Sequence, residues 1–156
     1  MSDENTLLAL EGIKALFAIE EIKKLRARYF RCVDTKDWEG FAAVFAPDAV
    51  FDISDDVPGC ILTGGDAIAR AAGEPLTGCV SVHHGHGHEI ELTSETTATG
   101  ICAMEDILRW SPDSEWPNMT LHGYGHYLDS YEKIDGRWLI KTMKLKRLRV
   151  DIGTAG

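Results

Sequence analysis

The chain has 156 residues, 44% of them hydrophobic, and a net charge of −9 with a sequence pI of about 5.0. That is enough apolar material for one compact domain with a real core, and the ordinary charged fraction does not suit a disordered chain. The acidic balance argues against nucleic acid or an anionic membrane as partner, and no apolar run is long enough to span a bilayer.

The start, Met1 to Asn5, is polar and acidic, unlike the basic beginning of a signal peptide. Apolar residues at Leu7, Leu10, Ile13, Leu16 and Phe17 continue as Ile19, Ile22, Leu25 and Phe30. Those steps of three and four residues predict an amphipathic helix over about 10–34, with a possible break near Ala18. Asp37 suits the N-cap of a second helix that buries Phe41, Val44 and Phe45 and stops at Pro47. Ala49 to Ile53 reads as a short strand, Gly59 to Gly65 as a loop, and Asp66 to Ala72 as a brief helix ending at Gly73. From Cys79 onward the period drops to two. Strands are expected at 80–92, 96–110, 120–134 and 137–150, with a long loop at 111–118. Asp135-Gly136 is a strong hairpin signal. Helices first and hairpin strands afterward indicate one α+β domain, an antiparallel sheet with helices on one face and frayed ends at 1–6 and 152–156. Glycines at 85, 87, 100, 123 and 125 fall inside strands, where they suit bulges or close approach. A sheet this long must curve, and the hollow beneath the helices is the expected ligand pocket. Cys32, Cys60, Cys79 and Cys102 are widely spaced and read as reduced, buried thiols of a cytoplasmic protein.

Side chains suited to acid–base chemistry punctuate this plan: Tyr29 and Asp34 near the end of the long helix, and His83, Asp106 and Arg147 on strands. Ala27-Arg28-Tyr29 with Asp34, Asp37-Trp38 through Ala49, Val82-His83-His84, Thr97 to Gly100 and Asp135 to Trp138 together resemble a SnoaL-like protein of the nuclear-transport-factor-2-like superfamily over residues 10–151. The resemblance implies a cone-shaped, cystatin-like α+β fold. The polar set is similar to the scytalone dehydratase and bile-acid 7α-dehydratase branch. That likeness implies a cofactor-independent dehydratase acting on a hydrophobic cyclic or aromatic hydroxylated substrate. In that reading His83 is the base, Asp34 orients it, and Tyr29 hydrogen-bonds the substrate oxygen. Asp106 and Arg147 position the substrate, with Met104 and Tyr124 as further binding candidates. Branch relatives also imply a homo-oligomer, trimer ahead of dimer, formed through the outer sheet face.

Other readings compete. His84, His86 and His88 alternate on a regular strand, with Glu91 beyond, and resemble the metal-binding pattern of a cupin. The helical first third does not suit a cupin, so no metal and no cofactor are expected. A ketosteroid-isomerase-like reaction would use a carboxylate base, and a C–C lyase would use the same acid–base set. A binder of an apolar ligand would need none of it.

Overall fold

A computed structural model describes residues 3–155 of the chain, with side chains described from Leu10 onward. Met1, Ser2 and Gly156, among the residues expected to fray, lie outside the described residues. The elements are α1 (Asp3–Thr35), α2 (Trp38–Ala42), β1 (Phe45–Asp52), β2 (Ile61–Thr63), α3 (Gly65–Gly73), β3 (Cys79–Leu92), β4 (Thr97–Trp110), β5 (Met119–Ile134) and β6 (Arg137–Thr154). Six strands form one curved, unclosed sheet in the order β2-β1-β6-β5-β4-β3. All its pairings are antiparallel except β1 with β6, which is parallel. The four long strands follow one another as hairpins, and Asp135 and Gly136 both take the positive φ expected of their turn.

Several boundaries differ from the sequence reading. The first helix is continuous through Ala18 and starts at Asp3, so residues 3–6 are ordered into it. Its first half overhangs the sheet: Leu10, Ile13, Leu16 and Phe17 stay exposed, Phe17 at 69%, and the buried face begins at Ile22 and Leu25. The second helix is one short turn ending at Ala42, well before Pro47. Asp37 does cap it, its carboxylate accepting from the Gly40 N–H at 2.9 Å. Val44 and Phe45 are buried nevertheless, Phe45 as the first residue of β1. That strand runs through Pro47 because its register against β6 slips between Phe45 and Val50, where a missing N–H costs nothing. The expected loop at 59–65 contains β2, three residues paired to β1 and too short to show a period. The last strand continues to Thr154.

The inner face of the sheet packs on α1, α2 and α3. Ile22, Leu25, Phe30 and Val33 of α1 meet Cys102 and Met104 of β4, Tyr127 and Tyr131 of β5, and Ile140, Met143 and Leu145 of β6. Within this core lies a fully buried ion pair, Arg26 with Asp129, both side chains 0% exposed. All four cysteines are free. No described helix is long and apolar enough to cross a membrane.

Candidate active site

β3 is an edge strand, so every second backbone N–H has no strand partner. The end of α1 lies along that edge. The Asp34 carboxylate accepts the His83 backbone N–H at 2.8 Å and the His83 Nδ1–H at 2.6 Å, and the Ser81 hydroxyl donates to it at 2.9 Å. Lys36, just past the helix end, donates to Ser81 Oγ at 2.6 Å and to the Val33 carbonyl at 3.2 Å. One carboxylate thus fixes both the backbone and the ring of His83. Because an ionised carboxylate only accepts, the Nδ1 nitrogen carries the proton, and Nε2 is left with a free lone pair. Burial alone would raise Asp34, but the hydrogen bonds from the His83 ring and backbone and from Ser81 outweigh it, so its carboxyl lies below the usual range. Burial also pulls the Lys36 ammonium below its ordinary value.

His83 stands directly opposite Asp106 on β4, and Asp106 opposite Gly123 on β5. The His83 N–H points away from β4, so His83 and Asp106 form the closer, non-hydrogen-bonded kind of cross-strand pair, with Cα atoms about 4.5 Å apart. Arg147 of β6 lies over Gly123 and clamps Asp106 with two parallel hydrogen bonds of 2.8 Å each. Its Nε also donates to Asp56 at 2.9 Å, and its Nη1 lies 3.7 Å from Met104 Sδ. Only glycine fits at 123: a Cβ there would stand 2.1 Å from Asp106 Oδ1 and 2.4 Å from Arg147 Nη1. Burial works against the Arg147 charge, but Asp106 and Asp56 outweigh it and hold the guanidinium protonated.

The structure therefore joins Asp34 to His83, and brings Asp106, Arg147 and Met104 together one strand further in. Tyr29 points into a cluster of Phe30, Phe41, Phe45 and Tyr127, with ring centroids 4.9–6.0 Å away. Among the described residues it makes no hydrogen bond to Asp34 or His83. Burial pushes the Tyr29 phenol up, so it remains a donor. Tyr124, expected with the substrate-binding set, is on the outer face, stacked on His122 at 4.4 Å, because it pairs with Glu105 and not with the inner-facing Asp106.

The expected histidine row is also broken. The register of β3 against β4 shifts between His86 and Glu89, and Gly87 takes a φ of 50°. This bulge reverses the alternation. His88 turns inward, its Nε2 3.4 Å from Cys102 Sγ, while His84 and His86 stay outside. A glycine inside a histidine run was the available signal.

Arg26, Asp129, Ser81 and Lys36 were not anticipated as part of the polar machinery. Arg26 is paired to Asp129, with its guanidinium 4.7 Å from the Tyr29 ring and 4.5 Å from that of Tyr127. Tyr131 donates to Asp129 at 2.6 Å. Two large cavities lie away from the dyad. One of about 920 Å³ runs under the first half of α1, lined by Phe17, Ala18, Leu25, Leu92 and Trp138. Another, of about 1250 Å³, separates α2 and α3. Neither is lined by His83, Asp106 or Arg147.

A long helix laid across a curved, unclosed sheet defines an α+β cone of the nuclear-transport-factor-2-like superfamily. The SnoaL-like domain matches residues 14–144, and the chain belongs to that family. A putative scytalone dehydratase from Novosphingobium aromaticivorans is 25% identical, with a TM-score of 0.80 over 93% of each chain. A type 2 hexachlorocyclohexane dehydrochlorinase, LinA, is 17% identical, with a TM-score of 0.79 over 93% of this chain and 95% of that one, and shares the fold. A Mycobacterium tuberculosis protein of unknown function is 26% identical, with a TM-score of 0.72 over 86% of this chain and 74% of that one.

Proposed function

We propose that the chain is a cofactor-independent lyase, a dehydratase that removes water from a hydrophobic cyclic or aromatic hydroxylated substrate. The observation that carries the reading is the Asp34–His83 pair, which commits Nδ1 and leaves Nε2 as an oriented base. Nε2 takes a proton from substrate carbon, the C–O bond breaks as the double bond forms, and the imidazolium returns its proton to the departing oxygen. Asp34 supports the transient positive charge. Arg147, Asp106 and Met104 hold the substrate beside the dyad, and Tyr29 donates a hydrogen bond to its oxygen. Similarity to a dehydratase-named neighbour supports elimination of water.

The carboxylate-base isomerase is less well supported. Both oxygens of Asp34 and both of Asp106 already accept hydrogen bonds, so neither offers an unengaged basic oxygen. A C–C lyase would use the same residues and differs only in product.

The test is turnover of a panel of hydroxylated steroids and hydroxylated aromatic compounds, with products identified by mass spectrometry. Loss of eighteen mass units, abolished in His83→Ala and retained with a chelator present, is the expected result. A His83→Ala protein with normal turnover would remove the dyad from the reaction, and cleavage into two carbon fragments would replace dehydration by C–C lysis.

We also propose that copies associate through the outer sheet face, as a trimer ahead of a dimer. Val80, Val82, Ile101, Ile107 and Leu128 stand exposed there, Val80 at 73%, where burial would be favourable. Light scattering that reports only monomer at micromolar concentration would reject this.

A further inference from the structure

The outer face of the same strands carries a second polar group, separated from the dyad by the thickness of the sheet. His84 and His86 are two residues apart on β3, on the stretch that precedes the bulge, and so project from one face. His84 is the direct cross-strand partner of Glu105 on β4. Glu105 Oε1 lies 3.1 Å from His84 Nδ1 and 3.6 Å from His86 Nε2. One donor atom from each of the three residues falls within 4.8 Å of the others. The second carboxylate oxygen, Oε2, is 3.1 Å from His122 Nε2 on β5. The hydroxyl of Tyr124 is 3.1 Å from His122 Nδ1. If the His122 Nε2–H donates to Glu105, its Nδ1 is free to accept from Tyr124, so a single tautomer satisfies the whole relay.

We propose that His84, His86 and Glu105 form a binding site for a divalent transition-metal ion of the zinc type, independent of the Asp34–His83 chemistry.

Donor chemistry, spacing and support agree on this. Two imidazoles and one carboxylate suit zinc and its neighbours, whereas calcium and magnesium require oxygen donors. Metal–ligand bonds of about 2.0–2.1 Å arranged tetrahedrally place neighbouring ligand atoms about 3.3 Å apart. The two distances to Glu105 Oε1 bracket that value, and the third edge, between the two imidazoles, is within 4.8 Å. The ligands come from paired strands, not from a loop, so their Cα positions are fixed before an ion arrives. His122, backed by Tyr124, holds the far oxygen of Glu105, the kind of outer partner that orients a ligating carboxylate. Three protein ligands leave the fourth position to water. His84 and His86 are exposed, so an ion can reach them from solvent.

The test uses the full chain without a histidine tag, stripped with a chelator and dialysed. Zinc chloride is titrated calorimetrically, and cobalt(II) is added in parallel to read coordination from its visible absorption. One ion per chain and a tetrahedral cobalt spectrum are expected. Both should be lost in His86→Ala and in Glu105→Gln. His122→Ala should weaken zinc binding by about 10–100-fold, the usual effect of removing an outer partner. His88→Ala should bind as the parent does, because His88 faces the interior. Binding no tighter than that of a His84→Ala/His86→Ala double variant would overturn the proposal, as would equal damage from His88→Ala. If a variant fails to fold, the wild-type protein still decides: zinc must protect His84 and His86 from diethyl pyrocarbonate, located by mass spectrometry, and unchanged labelling of both refutes the site. Light scattering accompanies the titration because self-association is placed on the same face. One ion per chain upholds the site in any assembly state, and one ion per assembly replaces it with an interface ion.

Discussion

Helix α1 contributes one charged residue to each of two polar pairs on the inner face, and the two have opposite designs. Arg26 meets Asp129 in a sealed box: both side chains are fully buried and roofed by Tyr29, Phe30 and Tyr127. Asp34, eight residues later, meets His83 at the sheet edge, where its side chain keeps 22% of its exposure and that of His83 keeps 9%. Burial opposes the Arg26 charge, and Asp129 more than compensates, so the guanidinium stays protonated. Among the described residues, Arg26 Nε and Asp129 Oδ1 have no protein partner, as expected for a pair that gains specificity of packing more than stability. The dyad instead has both Asp34 oxygens engaged, by three donors in all, and one histidine nitrogen left over. A sealed pair orders a core, and a pair with one free nitrogen at an accessible edge can exchange a proton.

The largest expected effect separates the two by fold. Arg26→Met leaves the Asp129 carboxylate buried without its partner and should destabilise the protein by about 3–5 kcal/mol, measured by urea unfolding. A loss under 1 kcal/mol would mean that Asp129 protonates cheaply and that the box is not an ion pair in solution. Asp34→Asn should do the reverse. It removes the charge that supports imidazolium and disturbs the tautomer, lowering kcat by roughly 10²–10⁴-fold while leaving most of the stability. Normal kcat in that variant would reduce the dyad to a structural contact. Gly123→Ala probes the neighbouring clamp. Its Cβ cannot coexist with the present Asp106 and Arg147 atoms, so it should raise KM and cost about 1–3 kcal/mol of stability by overpacking. An unchanged KM would take the clamp out of substrate binding.

That Asp34 and His83 pair was implied by the family resemblance; what was legible locally is the elements that carry them, Asp34 ending a run of helical spacing and His83 lying in a run of two-residue alternation. The Asp135-Gly136 turn was legible for the same local reason. The sealed pair was not. An arginine on an amphipathic helix reads as part of a solvated face, and its partner lies 103 positions away. The alternation of Tyr127, Asp129 and Tyr131 on one strand face was the signal that a buried carboxylate needed a cation. The faces of Tyr124 and His88 were lost to strand geometry. A one-residue bulge at Gly87 reverses every later side chain on β3, and periodicity counted across it assigns His88 to the wrong side. The exposed first half of α1 misled in another way, since a stripe of Leu10, Ile13 and Phe17 promises a covered face that the sheet is too short to provide.

The smallest expected effect is also the most specific to the open pair. Ser81 donates to Asp34 and accepts from Lys36, so Ser81→Ala removes one of the three donors that hold the Asp34 carboxyl below its ordinary range. A carboxylate whose folded pKa is depressed adds stability that is fully present above its unfolded value of about 3.9 and is lost as pH falls through the lower, folded value. Removing a donor raises the folded value toward the unfolded one and takes away part of that contribution. Wild type should therefore exceed Ser81→Ala by about 1.5–3 kcal/mol near neutral pH, the usual size for a hydrogen bond to a charged group. The gap should narrow as pH falls below about 3.9 and close only beneath the depressed folded value, where both proteins carry a protonated Asp34. Thermal melts of the two proteins across that range measure it directly. A gap that stays constant into acid would show that Ser81 contributes packing, and that His83 alone keeps Asp34 ionised.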